Sequence, residues 1–516
     1  ELPNLKSLIE GGASGVLESS LPPLSPVAWP TFFTGVNPGK HGIFDFVVPQ
    51  GNDNPSAIKF NNLSDCRVEP FWAHLNKKGI RTGIINLPMT FPPDKLKGFM
   101  VAGLGSPGTD SDFVYPYELK GEFLKALDGK YLIEIDNDLS ATPSVYRAQL
   151  IEMVKIRKKA ALFLLKKTAI DLFTIVFTAT DRAQHGLWKC LDSNAPEFKP
   201  GFEDAILDVY REVDKAIGEI LEAVPSVEHI IVMSDHGMDA VYRSVDINRW
   251  LELNGYLRFK DMSLVSNLKG QMNRVYMGVK RRLFKKGAAL LRSSQYIDWK
   301  NTKAYHLGSW GNIYINTKGR FPWGIVDYGK DYDDIREGII CGLKALVDPL
   351  NGALVVKDVL KREDIYKGEL VSRAPDLLVL WQNNYTSVKS IVERFTKKEN
   401  SSIDGGVFKP PKGISADHTM DGIFVIKSPL VLSATKGLNA NILDICPTLY
   451  YMLGLEIPTH LDGTVITKAF KRDTLEQRPI KYSGGGKTCS FRGESAPYTE
   501  ENAQLVAEKL KDLGYL

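Results

Sequence analysis

An aspartate and a histidine four residues apart, Asp181 and His185 in TATDRAQHGLWK, follow directly on the apolar run DLFTIVFT (171–178). On a helix, that spacing puts carboxylate and imidazole on one face, where together they can hold a divalent cation. A second pair, Asp235 and His236 in MSDHGM, ends the apolar run HIIVMS (229–234), and Gly237 allows the backbone to bend sharply after it. A third segment, SADHTMDG, offers His418 with Asp417 and Asp421 nearby. Mixed imidazole and carboxylate ligands suit zinc best, with manganese and iron as alternatives. Two such ions about 4 Å apart can clamp the attacking and leaving oxygens of an in-line phosphoryl displacement. Each motif alone has a plainer reading, as a helix-capping Asp followed by a core His, or as a turn. Their order, their shared use of Asp and His, and the placing of the first two pairs at strand ends favour a common metal centre, because open α/β sheets bind ligands there. His41, His74, His229, His306 and His460 lack such company and are expected to be structural, His41 being set apart by its place near a hydroxyl-rich loop.

That loop lies in LPPLSPVAWPTFFTGVNPGKHGIFDF (21–46), a Pro-rich turn followed by an apolar helix and a GVNPGKHG loop. A hydroxyl at a helix N-terminus suits an attacking group, since the helix dipole and a metal both favour its alkoxide. Ser25, Thr31 and Thr34 all qualify chemically, and Ser25 reads equally well as an ordinary helix N-cap.

The elements that must position these groups alternate between strand-like and helix-like, which predicts an α/β layered fold with a mostly parallel central sheet. Apolar runs at 79–88, 171–178, 229–234 and 422–428 predict strands, and helical periodicity covers 146–167, 202–223, 330–347 and 499–513. The opening ELPNLKSLIEGG reads as a helix already under way, so an upstream segment is expected. The Gly/Pro/Asp-rich stretch from Gly103 to Pro116 predicts a loop near the site mouth. Between Asp261 and Asp298 there are Lys269, Arg274, Lys280, Arg281, Arg282, Lys285, Lys286 and Arg292, with no acidic residue. Interleaved apolar residues make 259–297 a basic amphipathic insertion, either a solvated helical cap or a lid with peripheral membrane contact through anionic lipid. The expected organisation is a core over 1–258, this cap over 259–297, and the rest of the core with a final helix over 298–516.

With 516 residues, 43% hydrophobic and 24% charged, the chain has the composition of a large globular protein. A net charge of +4, from 65 basic and 61 acidic side chains, gives no reason to expect general nucleic-acid binding. Cys66, Cys190, Cys341, Cys446 and Cys489 are scattered with no CxxC pair, which fits a reducing, cytoplasmic setting. No uncharged apolar run approaches the roughly 18–20 residues that span a bilayer.

Read together, SPVAWPTFFTGVNPGKHGI, DRAQH, SDHG and DH resemble the alkaline phosphatase superfamily, and within it the type I phosphodiesterase/nucleotide pyrophosphatase branch. GIINLPMTFPP (83–93), GNIYINTKGRFPWGIV (311–326), APDLLVL (374–380), DICPTLYYMLGLEIPTHLDG (444–463) and LKDLGYL (510–516) carry the similarity over almost the whole chain. The resemblance implies a sandwich of helices around the central sheet, with insertions forming a cap. It implies Ser25 as nucleophile, ten residues before Gly35 of the family's TG pair. It assigns Asp181, His185 and His418 to one metal and Asp235 and His236 to the other. The family's second metal also takes an Asp from a first strand upstream of PNLxxL, and this chain begins at that PNL, so the second site is expected to be a half site.

Where the family carries an Asn that holds the transferred phosphoryl oxygen, this chain has GIFDF with Asp45, and Lys40 is the nearby candidate to supply positive charge to the substrate. The function so implied is metal-dependent hydrolysis of a phosphodiester, small or lipid-linked, through a phosphoseryl intermediate on Ser25 and two divalent ions. A phosphomutase or headgroup transferase on the same fold, or a metal-poor binding fragment, are the alternatives. A sulfatase is disfavoured because Ser25-Pro26-Val27-Ala28 lacks the C/S-x-P-x-R motif.

Overall fold

The computed structural model describes residues 1–55, 57–135, 142–260, 297–389, 406–411, 413–483 and 498–515. The apolar runs become strands of two four-stranded ladders. Thr82–Leu87, buried at every position, pairs in parallel with Gly98–Ala102 on one side and Leu172–Ile175 on the other. A strand covered on both faces needs such a continuous apolar run. Val114–Tyr115 completes this four-stranded ladder in antiparallel sense. A second ladder centres on Ala13–Glu18, parallel to Thr435–Asn441 and antiparallel to Asp421–Lys427, which in turn pairs with Ile230–Met233. Leu172–Ile175 and Ile230–Met233 are therefore the end strands of their ladders, and the two metal-capable pairs leave from their C-terminal ends.

Helices Pro143–Lys167, Ala179–Leu191 and Ala205–Ala223 pack on one another beside these sheets. The opening helix is not under way at residue 1. It starts at Pro3, where proline suits the first turn because its missing N–H would be unpaired there in any case. Asp214 of Ala205–Ala223 accepts the free N–H groups of Asn4 (3.1 Å) and Leu5 (2.7 Å), a carboxylate set against the positive end of that helix.

Among the described residues, those from Val245 to Phe408 build a core of their own, joined by Leu21, Leu24 and Val27 from the N-terminal part of the chain. Its sheet runs Ala304–His306, Gly311–Ile315, Leu377–Trp381, Val356–Lys361, all antiparallel, with helix Lys330–Lys344 packed against it. Antiparallel neighbours of this kind can close a core locally without long crossovers. The first core resumes with Asp421–Lys427 and the helices Ile442–Met452 and Glu500–Asp512. Phe259 and Ile297 form an antiparallel bridge, so the insertion between them leaves and returns at one point. The basic residues 269–292 on which the cap, lid and membrane readings rest lie outside the described residues. No helix among the described residues is long and apolar enough to cross a membrane.

Candidate metal centre

Asp181 lies in the first turn of helix Ala179–Leu191, with His185 one turn on, so the expected face is formed. Asp235 and His236 occupy the short link between Ile230–Met233 and the next strand, Gly237–Val245. His418 comes from Ala416–Thr419, which pairs antiparallel with that strand so that His418 stands opposite Met238. This register lays the His418 ring on that of His236, with centroids 3.6 Å apart. The helix and the hairpin-like pair thus meet, and His185 Nε2 comes to 2.9 Å from His418 Nε2. One ligand atom from each of Asp181, His185 and His418 lies within 4.8 Å of the others.

All three imidazoles are oriented in the same way. His185 Nδ1 donates to the Ala416 carbonyl (2.7 Å), His418 Nδ1 to the Pro23 carbonyl (2.9 Å) and His236 Nδ1 to the Gly237 carbonyl (3.0 Å). A carbonyl can only accept, so in its neutral form each ring carries its hydrogen on Nδ1 and turns a lone pair on Nε2 inward. Burial, helped by neighbouring His236, pushes His418 down to about 3, which keeps it neutral. Burial alone would raise the Asp181 carboxyl, but His185 and Arg182 outweigh it and hold that group well below the usual carboxylate range. Asp181 Oδ1 lies 3.4 Å from both His185 and His418 Nε2 and 3.9 Å from His236 Nε2. Neither Asp181 oxygen has a hydrogen bond, although both are buried. A buried ionised oxygen facing inward lone pairs is costly unless a cation sits among them. The residues present therefore fit a divalent metal, and the imidazole–carboxylate donor set is one that zinc accepts.

Ser25 is the first residue of helix Ser25–Thr34, and Leu24, not Ser25, is its N-cap. Its hydroxyl donates to Asp235 Oδ2 (2.8 Å) and lies 3.4 Å from His236 Nε2. Thr31 and Thr34 instead turn back on their own helix, to the carbonyls of Val27 (2.8 Å) and Pro30 (2.5 Å). Of the three candidate hydroxyls, Ser25 is the one brought to the Asp/His cluster. Burial raises the Asp235 carboxyl, with His236 opposing and Asp181 reinforcing the rise. Deeper in the same segment, His41 is fully buried, within 3.1 Å of Thr31 Oγ1, and accepts the Ile43 N–H (3.2 Å).

Lys40 and Asp45, the residues expected at the substrate, both have partners within the protein. Lys40 pairs with Asp462 and reaches the His460 carbonyl at 3.3 Å. Asp45 is fully buried and accepts from the backbone N–H groups of Phe46 (2.6 Å) and Ser309 (2.8 Å) and from Asn312 Nδ2 (2.8 Å). Burial lifts its carboxyl to about 6 against those donors. Among the described residues, no hydrogen bond or ion pair joins either side chain to Ser25. In the Gly103–Pro116 segment, the Gly105 carbonyl accepts from Tyr498 Oη (2.6 Å), which precedes helix Glu500–Asp512.

Other residues that reach the centre had no role there assigned from the sequence. Arg182 is buried behind Asp181, 3.0 Å from its Oδ2, and also contacts Glu134 (3.2 Å) and Tyr515 Oη (3.1 Å). Tyr515 packs against the rings of both His185 and His418. Beside His418, buried Asp417 is held by Thr386 Oγ1 and by Lys389 Nζ at 3.3 Å. Arg182 could have been suspected as the neighbour of Asp181, but Glu134, Thr386 and Lys389 reach the site only through the fold.

A family model described as type I phosphodiesterase / nucleotide pyrophosphatase matches residues 1–406. No curated protein matches the sequence. Among solved structures, phosphonoacetate hydrolase from Sinorhizobium meliloti 1021 in complex with phosphonoacetate is similar at 15% identity and a TM-score of 0.50, over 86% of this chain and 88% of that one. Human ectonucleotide pyrophosphatase/phosphodiesterase 5 is similar at 12% identity and a TM-score of 0.46, over 92% of this chain and 94% of its own. The murine counterpart, in an inactive form with AMP, gives 13% identity and a TM-score of 0.44, over 88% and 90%. The hydrolase from S. meliloti shares the fold alone at that identity, whereas the family model covers most of the sequence. With the metal-capable cluster in the place its motifs require, this chain belongs to the type I phosphodiesterase/nucleotide pyrophosphatase family, a branch of the alkaline phosphatase superfamily.

Proposed function

We propose that this phosphoric ester hydrolase cleaves a small-molecule or lipid-linked phosphodiester in two displacements, with Ser25 as the attacking group. The observation that carries the reading is the Ser25 hydroxyl, donated to Asp235 Oδ2 at 2.8 Å and 3.4 Å from the inward lone pair of His236. Asp235 fixes the direction of the Oγ–H and is the group within reach of its proton. In the first displacement Oγ bonds to phosphorus, the ester oxygen leaves, and Ser25 carries the remaining phosphoryl group. In the second, water cleaves the Ser25 ester and restores the hydroxyl. Divalent ions, with zinc favoured by the ligand set and manganese as the alternative, would be held by Asp181, His185 and His418 and by Asp235 and His236, and would supply positive charge to the phosphoryl and serine oxygens.

Turnover of bis-p-nitrophenyl phosphate by chelator-stripped protein, with and without zinc or manganese, tests this reading. Metal-restored activity is expected, and it should fall by more than about a thousand-fold in Ser25→Ala and His418→Ala while Thr31→Val and Thr34→Val keep most of it. Metal-independent turnover, or full activity in Ser25→Ala, would overturn it.

A further inference from the structure

Asp181 presents two carboxylate oxygens to two different surroundings. Oδ1 faces the three Nε2 lone pairs at 3.4, 3.4 and 3.9 Å, while Oδ2 faces Arg182 Nη1 at 3.0 Å. Neither oxygen is fixed by a hydrogen bond, and a carboxylate rotates readily about its last torsion, so proximity to one ligand face does not by itself decide which oxygen is offered. The guanidinium, by contrast, is anchored. Its Nε meets Glu134 Oε2 at 3.2 Å, its Nη1 reaches Tyr515 Oη at 3.1 Å, and its Cζ lies 5.1 Å from the Tyr515 ring centre. The Arg182 and Glu134 side chains are each 2% exposed, and the Arg182 carbonyl accepts from Tyr146 Oη at 3.2 Å.

Charge poses a second problem. A lone guanidinium against Asp181 would cancel the charge a cation needs. Glu134 offsets it, and its other oxygen makes no hydrogen bond, so Glu134, Arg182 and Asp181 together keep one net negative charge. A buried pair serving stability alone has no need to abut a ligand carboxylate on its outer side. We propose that Arg182, neutralised by Glu134 and steadied by Tyr515, is a positioning residue that fixes which oxygen Asp181 turns to a divalent cation without cancelling its charge. This rests on the metal-site reading above.

Zinc affinity of the stripped protein, measured against a competing chromophoric chelator, tests it independently of catalysis. Glu134→Gln leaves the guanidinium uncompensated and should weaken zinc binding about 10–100-fold, as loss of an outer partner commonly does. Arg182→Lys keeps the charge but not the fork and should weaken it in the same direction, and Tyr515→Phe should do so by less. Melting of the metal-free proteins separates this from stability, since a purely structural brace lowers the melting temperature and leaves the affinity of the folded protein alone. If Glu134→Gln does not fold, Arg182→Lys and Tyr515→Phe carry the test. Folded variants that bind zinc within about twofold of the parent overturn the proposal. His418→Ala tells the two failures apart: unchanged zinc binding there removes the metal site itself, whereas its loss there, with binding kept in the brace variants, removes only the brace.

Discussion

Three histidines meet at the centre with one tautomer because each finds a backbone carbonyl on its Nδ1 side, at Ala416, Pro23 and Gly237. Their residue types and their nearness to apolar runs could be read from the sequence. The carbonyls that orient them could not, since Pro23 and His418 are 395 positions apart. The resemblance suggested substrate contact for Lys40 and Asp45; what the sequence did not show is that Asp45 meets Ser309, 264 positions away, and that Lys40 pairs with Asp462. His41 permits a quantitative check. Burial holds it at about 3 against an ordinary 6.5, so between those values the unfolded chain binds more protons than the folded one. Stability contributed by neutral His41 is therefore present above about pH 6.5 and lost as pH falls, by at most about 1.4 kcal/mol per pH unit. Urea unfolding at about pH 7.5 and about pH 5.5 should show a smaller loss in His41→Gln than in the parent, and equal losses would contradict this.

The elements that carry the ligands were legible because fully apolar runs and helical periodicity are local signals. The run at 79–88 contains the buried strand Thr82–Leu87, and 202–223 contains the helix Ala205–Ala223. Ends were less legible, since they depend on tertiary partners: the helix predicted over 330–347 stops at Lys344. Gly237 is instructive here. It was expected to permit a sharp bend, yet it has no positive φ and begins a regular strand. Its need is for space, because a Cβ there would run into the Asp421 carbonyl and the Thr419 hydroxyl. Gly237→Ala should thus push Gly237–Val245 away from the strand that carries His418. The expected result is at least about tenfold weaker zinc binding with the protein still folded, by analogy with other changes that displace a ligand's support. Parent-like affinity would show that the two strands tolerate separation.

At the scale of the molecule, the site lies where the first core meets the second, Ser25 starting a helix whose N-cap Leu24 and third residue Val27 belong to the second core. The α/β class could be argued from alternation, but the second core could not, because its antiparallel sheet draws on strands from Ala304 to Trp381 that carry no common motif. Asp45 ties the loop after the helix that Ser25 starts to Ser309 and Asn312 of that second region. Asp45→Ala strands the buried donors of Phe46, Ser309 and Asn312 and should destabilise the protein by about 3 kcal/mol or more, read by denaturant unfolding. An unchanged midpoint would mean the junction does not depend on this carboxylate. The central claim, that Ser25 takes the phosphoryl group, is tested most directly by quenching turnover of bis-p-nitrophenyl phosphate with acid and mapping the protein by mass spectrometry. The account predicts a p-nitrophenylphosphoryl group on Ser25, absent from Ser25→Ala; steady turnover with Ser25 unmodified and the alanine variant fully active would contradict it.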